Sequence, residues 1–491
     1  VKSRLRTVIL LLVSVGVAVF VGFSSLQLKQ AREALRAGRT DEAIAISQRW
    51  RHLGLWRGQF DQVHANATLQ RAAALTKSGN IAEAERAFAS LDRTHVDQMR
   101  YRALQQAIAA RKSGSVPYVF DRDGHPIAAW RPATNDVVAL DDAFASLISR
   151  DAGALTIGSQ LQRLGGNDTI ETTLDSAVQR AAMSALGKYH GAIVAIDPRT
   201  NELLAIASTS GNLALERQYE PGSVIKVLTG LNALTNGVDA KSMFPYQCKG
   251  FLEIDGRHFG DWLAAGHGTM KSIDDALAVS CNVYFADVGL RLGRDRLRSF
   301  MTAAGFGGQT NLGLFEVPLG KTVGDIFNNF ETAFYAIGLE HESINALHLA
   351  MLASMMANRG VMTTPRLLRA RRSILGGVVA APPAQGKTRL GSEAAAQTMI
   401  EAMQAVANDA KGTGHRAPVE GITLAMKTGT AGERKSGLEA LIMAFAPVES
   451  PKIAFAVIAE DAGPAEFAGA KIAHDFLEAI KPRLGVRETL H

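Results

Sequence analysis

Cysteine is nearly absent from this sequence: Cys248 and Cys281 are the two copies among 491 residues. That count excludes a disulfide-stapled scaffold and any multi-thiolate metal cluster. Charge is missing from one whole stretch. Thr7 to Leu28 contains no Asp, Glu, Lys or Arg, a run of 22 positions; at about 1.5 Å per helical residue it reaches about 33 Å, enough for the hydrocarbon core of a bilayer. No acid precedes the run, whereas Lys2, Arg4 and Arg6 do, the pattern of a start retained in the cytoplasm. A cleaved signal peptide is the alternative, but Gly22-Phe23-Ser24-Ser25 is a poor small-x-small cleavage site. An uncleaved signal-anchor is expected, with everything after Lys29 outside the cytoplasmic membrane. The composition, 47% hydrophobic and 20% charged residues, argues against wholesale disorder and against a polytopic membrane protein.

The net charge of +6 is unevenly spread. Residues 1–115 hold 18 basic and 8 acidic side chains, a net of +10, and the remainder is mildly acidic. The arginines stand singly along helical patterns rather than in blocks interleaved with aromatics, which argues against a nucleic-acid partner. An anionic envelope suits the basic quarter better.

The length allows about three domains. Residues 1–28 are expected as cytoplasmic tail and transmembrane anchor, and 29–115 as a helical stalk. Within the stalk, Ala31–Ala43 is echoed by Ala74–Ala84, each reading as helix, glycine turn, Asp or Asn, then Glu-Ala in the next helix. The echo is similar to tetratricopeptide helix pairs, but Gly38 to Gly79 is 41 residues, not the usual 34. A plain stalk and a partner-binding repeat array both remain open. Residues 116–165 form a small linker module, opening with a strand and turn at Val119–Gly124. Residues 166–485 mix helical and strand patterns: a helix at Asp175–Leu186, a hairpin from Gly191–Pro198 and Leu203–Ala207, and late strands at 421–430, 440–446 and 452–459. Helices inserted between strands of one antiparallel sheet give an α+β fold.

Three short motifs carry chemistry. In Tyr219-Glu220-Pro221-Gly222-Ser223-Val224-Ile225-Lys226, a Pro-Gly turn enters a helix on which Ser223 and Lys226 share a face. A serine hydroxyl is a weak nucleophile, and an amine whose pKa is lowered by burial can take its proton. Alone, Ser-x-x-Lys arises by chance about once or twice in a chain of this composition. Ser280-Cys281-Asn282 adds a second hydroxyl for proton relay and an amide for a peptide group, though alone it reads as a capped helix end. Lys427-Thr428-Gly429-Thr430 ends an apolar strand with a cation, hydroxyls and a glycine that lets a substrate backbone approach, suiting a carboxylate-bearing peptide added as an extra strand.

In this order the three motifs resemble those of the penicillin-binding transpeptidases. The resemblance covers about residues 166–485 and includes Asp261-Trp262, Gly266-His267-Gly268, Leu292-Gly293, Ala336-Ile337-Gly338, Ala357-Asn358-Arg359-Gly360, Gly412-Thr413-Gly414 and Phe445-Ala446-Pro447. It implies a serine penicillin-recognising transpeptidase fold and a peptidoglycan D,D-transpeptidase that β-lactams also acylate. Ser223 would attack the carbonyl between two D-alanines of a stem peptide, with Lys226 as general base and Ser280 passing the proton to the leaving amine. Asn282 would hold the donor amide and Lys427 would support the network. Gly429 would let the peptide backbone approach, while Thr428 and Thr430 would engage its terminal carboxylate. The backbone N–H groups of Ser223 and Thr430 would form the oxyanion hole. No metal or organic cofactor is implied.

The sequence departs from the family in two places. It shows no Glu-Asp-x-x-Phe glycosyltransferase signature, which is similar to monofunctional class B members and implies a separate membrane glycan polymerase as partner. Leu441-Ile442 stands where an aromatic pair is usual. A D,D-carboxypeptidase or a β-lactam sensor would use the same motifs, and an idle wall-synthesis scaffold is the alternative outside enzymology. Other motifs fail on inspection. Gly386-Lys387-Thr388 and Gly320-Lys321-Thr322 lack the earlier glycine of a P-loop, having Ala381 and Phe315 there. His341-Glu342 lacks the second zinc-protease histidine, which is Asn345, and His348 is too far along. Cys248 and Cys281 are expected as separate thiols.

Overall fold

The computed structural model describes residues 2–486 except 54, 115, 149–154, 156, 160–167, 212, 239–240 and 434–436. Most of 149–165, expected within the linker module, therefore lies outside the described residues.

The charge-free run is helical, and its helix does not stop at residue 28. It continues unbroken over Lys2–Arg36, because Ala31, Ala34 and Leu28 gain a buried face against the next helices. This is the one helix among the described residues long and apolar enough to cross a membrane. Four helices follow at Thr40–Trp50, Arg57–Lys77, Ile81–Ala89 and Gln98–Lys112. The echoed glycines do the same work twice: Gly38 and Gly79 take φ of +73° and +81°, the left-handed conformation that ends a helix. Alanines at the contacts, among them Ala31, Ala34, Ala43 and Ala67, let the stalk helices pack closely.

The segment expected to open a linker module does not make a sheet of its own. Asp136–Ala139 pairs with Pro126–Arg131 and that with Val116–Phe120, which pairs with Asp168–Thr172 and through it joins Leu368–Ser373 and Val378–Ala380. Sheet hydrogen bonding thus joins three stretches far apart in sequence. The stalk rests on this sheet's outer turn, where Ile374 is buried against Leu104 and Ile108.

The catalytic unit centres on a five-stranded antiparallel sheet in the order Ala425–Glu433, Gly437–Ala446, Ile453–Ala459, Gly191–Asp197, Glu202–Ser208. Every residue of the last three strands is buried, so helices must cover both faces. Ser176–Leu186 and Ala468–Ile480 pack on it, as does the wholly buried Ala346–Ala357. The α+β expectation holds, and so does the hairpin at 191–208.

The two sheets are tied by charge. The Glu202 carboxylate is buried and receives Arg122 at 3.2 Å, Arg366 at 3.2 Å, and Arg369 through Nε and Nη2, each at 3.1 Å. Removing the anion would strand three guanidinium groups, so Glu202→Gln should lower stability by about 3 kcal/mol, read as a shifted urea midpoint. An unchanged midpoint would show that the cluster contributes no net stability.

Candidate active site

The nucleophile turn is built by its own local sequence. Gly222–Ile225 is a 3₁₀ turn that runs directly into the helix Lys226–Thr235. With three residues per turn, residue i+3 stacks over residue i. Lys226 Nζ therefore stands 3.0 Å from Ser223 Oγ. The turn is pressed against the third motif: a Cβ on Gly222 (φ +56°) would lie 2.7 Å from the Thr430 carbonyl oxygen, and one on Gly429 would lie 2.8 Å from that of Pro221. Only glycine fits either side of this contact.

Ser280 sits between the helices Ile273–Ala278 and Asn282–Leu292 with φ +55°, a left-handed conformation that costs a residue with a Cβ roughly 1 kcal/mol or more. That twist brings both its oxygens to Lys226, whose Nζ donates to Ser280 O at 2.7 Å and lies 3.2 Å from Ser280 Oγ. Asn282 Oδ1 accepts from the same amine at 2.5 Å. From the other side, Lys427 Nζ donates to Ser280 Oγ at 3.0 Å and to Thr428 O at 2.7 Å.

Both amines are fully buried, and burial disfavours their charged forms. It lowers Lys226 to about 8, against the opposing pull of Asp261 and Cys281. Lys427 falls well below the ordinary lysine value, through burial and then through the neighbouring Lys226. The lowered value puts the neutral, proton-accepting form of Lys226 within reach near physiological pH. The hydroxyl of Thr428 is buried beside that of Thr413 at 2.6 Å. Thr430 Oγ1 accepts from Ala465 N at 3.0 Å, keeping its own proton free to donate. Asn282 and Ser223 are partly exposed, so the cluster opens to solvent at the nucleophile.

The structure brings Ser223, Lys226, Ser280, Asn282, Lys427, Thr428, Gly429 and Thr430 to one place. The strand carrying the third motif is an edge strand, which leaves its outer side open for peptide addition. Leu441 and Ile442 pair with Gly429 and Thr428 and are fully buried, so they serve the core. The discarded motifs stay apart: the two Gly-Lys-Thr segments lie on short β ladders. His348 is buried, lowered by burial to about 4, and bridges Gly320 N and Ala304 O.

One neighbouring cluster escaped the motif reading. Asp261 is buried behind Ser280-Cys281-Asn282, 3.2 Å from Cys281 Sγ, 3.6 Å from Cys248 Sγ and 3.3 Å from His267 Nε2. Burial alone would raise its pKa, but His267, Lys226 and Cys281 outweigh it and hold the carboxyl at about 2. The ligand atoms of Cys248, Asp261 and Cys281 lie within 4.8 Å of one another. Two thiols, a carboxylate and an imidazole are donors that zinc takes in closed structural sites. The cysteine count argues against a multi-thiolate cluster but does not address this mixed set, whose sequence signal was Asp261 and His267 ahead of Cys281.

Residues 191–481 match the family model described as penicillin binding protein transpeptidase domain. The chain is 31% identical over 349 residues to the peptidoglycan D,D-transpeptidase MrdA of Acinetobacter baumannii, covering 60% of this chain and 51% of that protein. It is 27% identical over 341 residues to the peptidoglycan D,D-transpeptidase PbpA of Mycolicibacterium smegmatis, covering 61% and 68%. The match thus spans about half the length of the first of these relatives. Among solved structures, the D,D-transpeptidase domain of a peptidoglycan glycosyltransferase from Eggerthella lenta superposes with a TM-score of 0.67 at 22% identity, over 76% of this chain and all of that one. Penicillin-binding protein A of M. tuberculosis, as its penicillin G acyl-enzyme complex, gives 0.65 at 20% identity, over 74% and 99%. The chain belongs to the penicillin-binding protein transpeptidase family.

If Cys248, Asp261 and Cys281 behind the second motif hold zinc, elemental analysis of chelator-free protein should find about one ion per chain. Cys248→Ala should abolish it, and stripping the metal should lower the unfolding temperature. Metal-free protein with two titratable thiols would leave the cluster as a hydrogen-bonded knot.

Proposed function

We propose that this chain is a membrane-anchored peptidoglycan D,D-transpeptidase that works through a Ser223 acyl-enzyme. The observation that carries the reading is the buried Lys226 amine, lowered to about 8 and 3.0 Å from the Ser223 hydroxyl. Family membership and the D,D-transpeptidase names of the relatives support it, as do the acyl-enzyme complexes of the fold's neighbours.

In this mechanism a stem peptide lies along the edge strand 425–433, its terminal carboxylate between Thr428 and Thr430 and its amide on Asn282. Neutral Lys226 takes the Ser223 proton as Oγ attacks the carbonyl between the two D-alanines. The backbone N–H groups of Ser223 and Thr430 stabilise the oxyanion, each worth about 3 kcal/mol in comparable hydrolases. The carbon–nitrogen bond breaks, and the departing D-alanine takes a proton from Ser280 Oγ, which lies within reach of both amines and is resupplied from Lys226. The acceptor amine then loses its proton along the same path as it attacks the ester, forming the crosslink and freeing Ser223.

The apolar part of the helix Lys2–Arg36 anchors the chain, with the catalytic unit on the outer face of the cytoplasmic membrane. A separate membrane polymerase supplies the glycan, and the stalk offers a surface for such a partner.

Fluorescent penicillin should label the wild type, with the adduct visible in the intact mass, and Ser223→Ala should remain unlabelled. An unlabelled wild type would overturn the acyl-enzyme. With a D-Ala-D-Ala stem and an amine acceptor, crosslinked product is expected; free acid alone would mark a carboxypeptidase. Because the base acts when deprotonated, acylation should rise with pH. A pKa of about 8 makes Lys226 about one-tenth neutral at pH 7 and nine-tenths at pH 9, a gain of about tenfold before the plateau. Lys226→Ala should slow acylation by about 10²–10⁴-fold, and a flat pH profile would remove Lys226 as the base.

A further inference from the structure

The stalk's first hairpin reaches back along the apolar helix. After the turn at Gly38, the helix Thr40–Trp50 packs against Lys2–Arg36, and its last residue, Trp50, lies 5.5 Å from the Phe23 ring and 6.0 Å from the Phe20 ring. Both phenylalanines belong to the charge-free run. Measured along the axis at about 1.5 Å per residue, Phe23 is about 8 Å and Phe20 about 12 Å on the membrane side of Leu28. If the run from Thr7 fills a hydrocarbon core of about 30 Å, its outer boundary falls near residue 26 or 27. The end of the hairpin therefore stands at or below the headgroup level.

The surface found at that level suits it. Leu53, Leu55 and Trp56 are exposed. Trp56 takes φ +59°, a conformation that bulky residues avoid and that persists only where the surroundings hold it. Trp50 packs inward on Phe60. Around the apolar tip stand the exposed cations Arg49 and Arg57, and Arg51, which is paired with Asp61 at 2.8 Å. Apolar and aromatic side chains ringed by arginines match the boundary between acyl chains and anionic headgroups. The arginines can keep their charge among phosphates while their stems lie along the lipid.

We propose that the tip formed by Leu53, Leu55 and Trp56 is a second membrane contact, inserted into the outer-leaflet interface beside the anchor helix, with anionic phospholipid as its ligand. It rests on the reading of the helix as a membrane span. Helix and tip together fix the stalk's tilt and rotation on the bilayer, which a single helix leaves free.

The test uses the full chain in bilayers of phosphatidylethanolamine and phosphatidylglycerol, some containing lipid brominated either near the headgroup or near the chain end. Trp56 emission is isolated as the difference between wild type and Trp56→Phe, since the chain has four tryptophans. The expected result is stronger quenching of this difference by the shallow bromines than by the deep ones. Trypsin should spare Arg51 and Arg57 in these bilayers, and a variant combining Leu53→Ser, Leu55→Ser and Trp56→Ser should lose that protection while still floating with the vesicles. An unquenched difference, or equal cleavage of both proteins, with the chain still floating, would overturn the tip and leave the anchor standing. A chain that does not float would overturn both. Protection that appears only when other membrane proteins are added would assign the surface to a protein partner and overturn the lipid contact.

Discussion

Two lysine amines are buried against one serine hydroxyl, and much of the catalytic architecture follows from making that arrangement tolerable. An ammonium taken out of water without partners costs several kcal/mol. Lys226 is therefore ringed by oxygens from Ser223, Ser280 and Asn282, and Lys427 by those of Ser280 and Thr428. Because both converge on Ser280 Oγ, the charge of Lys226 opposes that of Lys427, and the proton that one gives up is within reach of the other. The same burial that makes the site expensive leaves an amine neutral often enough near physiological pH to accept a proton.

The surrounding fold can be understood as the means of holding three separate segments at these distances. The nucleophile turn is pinned by backbone bonds to a distant segment, Gly222 N to Gly338 O and a two-way bridge between Tyr219 and Ile344. The strand of the third motif is paired over nine positions with Gly437–Ala446, which fixes where Lys427 points. Ser280 is kept in its left-handed conformation by the helices on either side, the second of them capped by Cys281. Strain at Ser280 and close contact at Gly222 and Gly429 are thus balanced by ordinary sheet and helix packing elsewhere.

The catalytic motifs were legible in the sequence because each is a local spacing with a local consequence. Ser223 and Lys226 need only a helical or 3₁₀ turn to meet, and the hairpin at 191–208 needs only its apolar runs and turn. The glycine turns of the stalk were visible for the same reason. What escaped was contact between distant segments. Thr413 gains its place beside Thr428 only when the sheet assembles. Cys248, Asp261 and His267 become one cluster with Cys281 through folds of the chain that no periodicity announces. The small sheet draws strands from 116–139, 168–172 and 368–380, so a boundary drawn along the sequence cannot separate it from the catalytic unit. The apolar run, likewise, stops being distinguishable as a separate anchor once its helix is seen to continue into the stalk.

That continuity bears on where the third motif's strand lies relative to the apolar helix. From the anchor helix, contacts lead through the stalk core to Ile374 at the small sheet, and from there through Arg122 and Arg369 to Glu202. Glu202 opens the strand at one edge of the central sheet, while the strand of Lys427, Thr428 and Thr430 forms the other. Four strand spacings of about 4.8 Å put about 19 Å between those edges. The stalk's attachment and the edge strand of the third motif are therefore on opposite sides of the same sheet. A stalk fastened next to the motif strand would cover the hydrogen-bonding edge that a peptide must occupy. Fastened on the Glu202 side, it leaves that edge clear, and the sheet's own width becomes the spacer between the stalk and the motif strand.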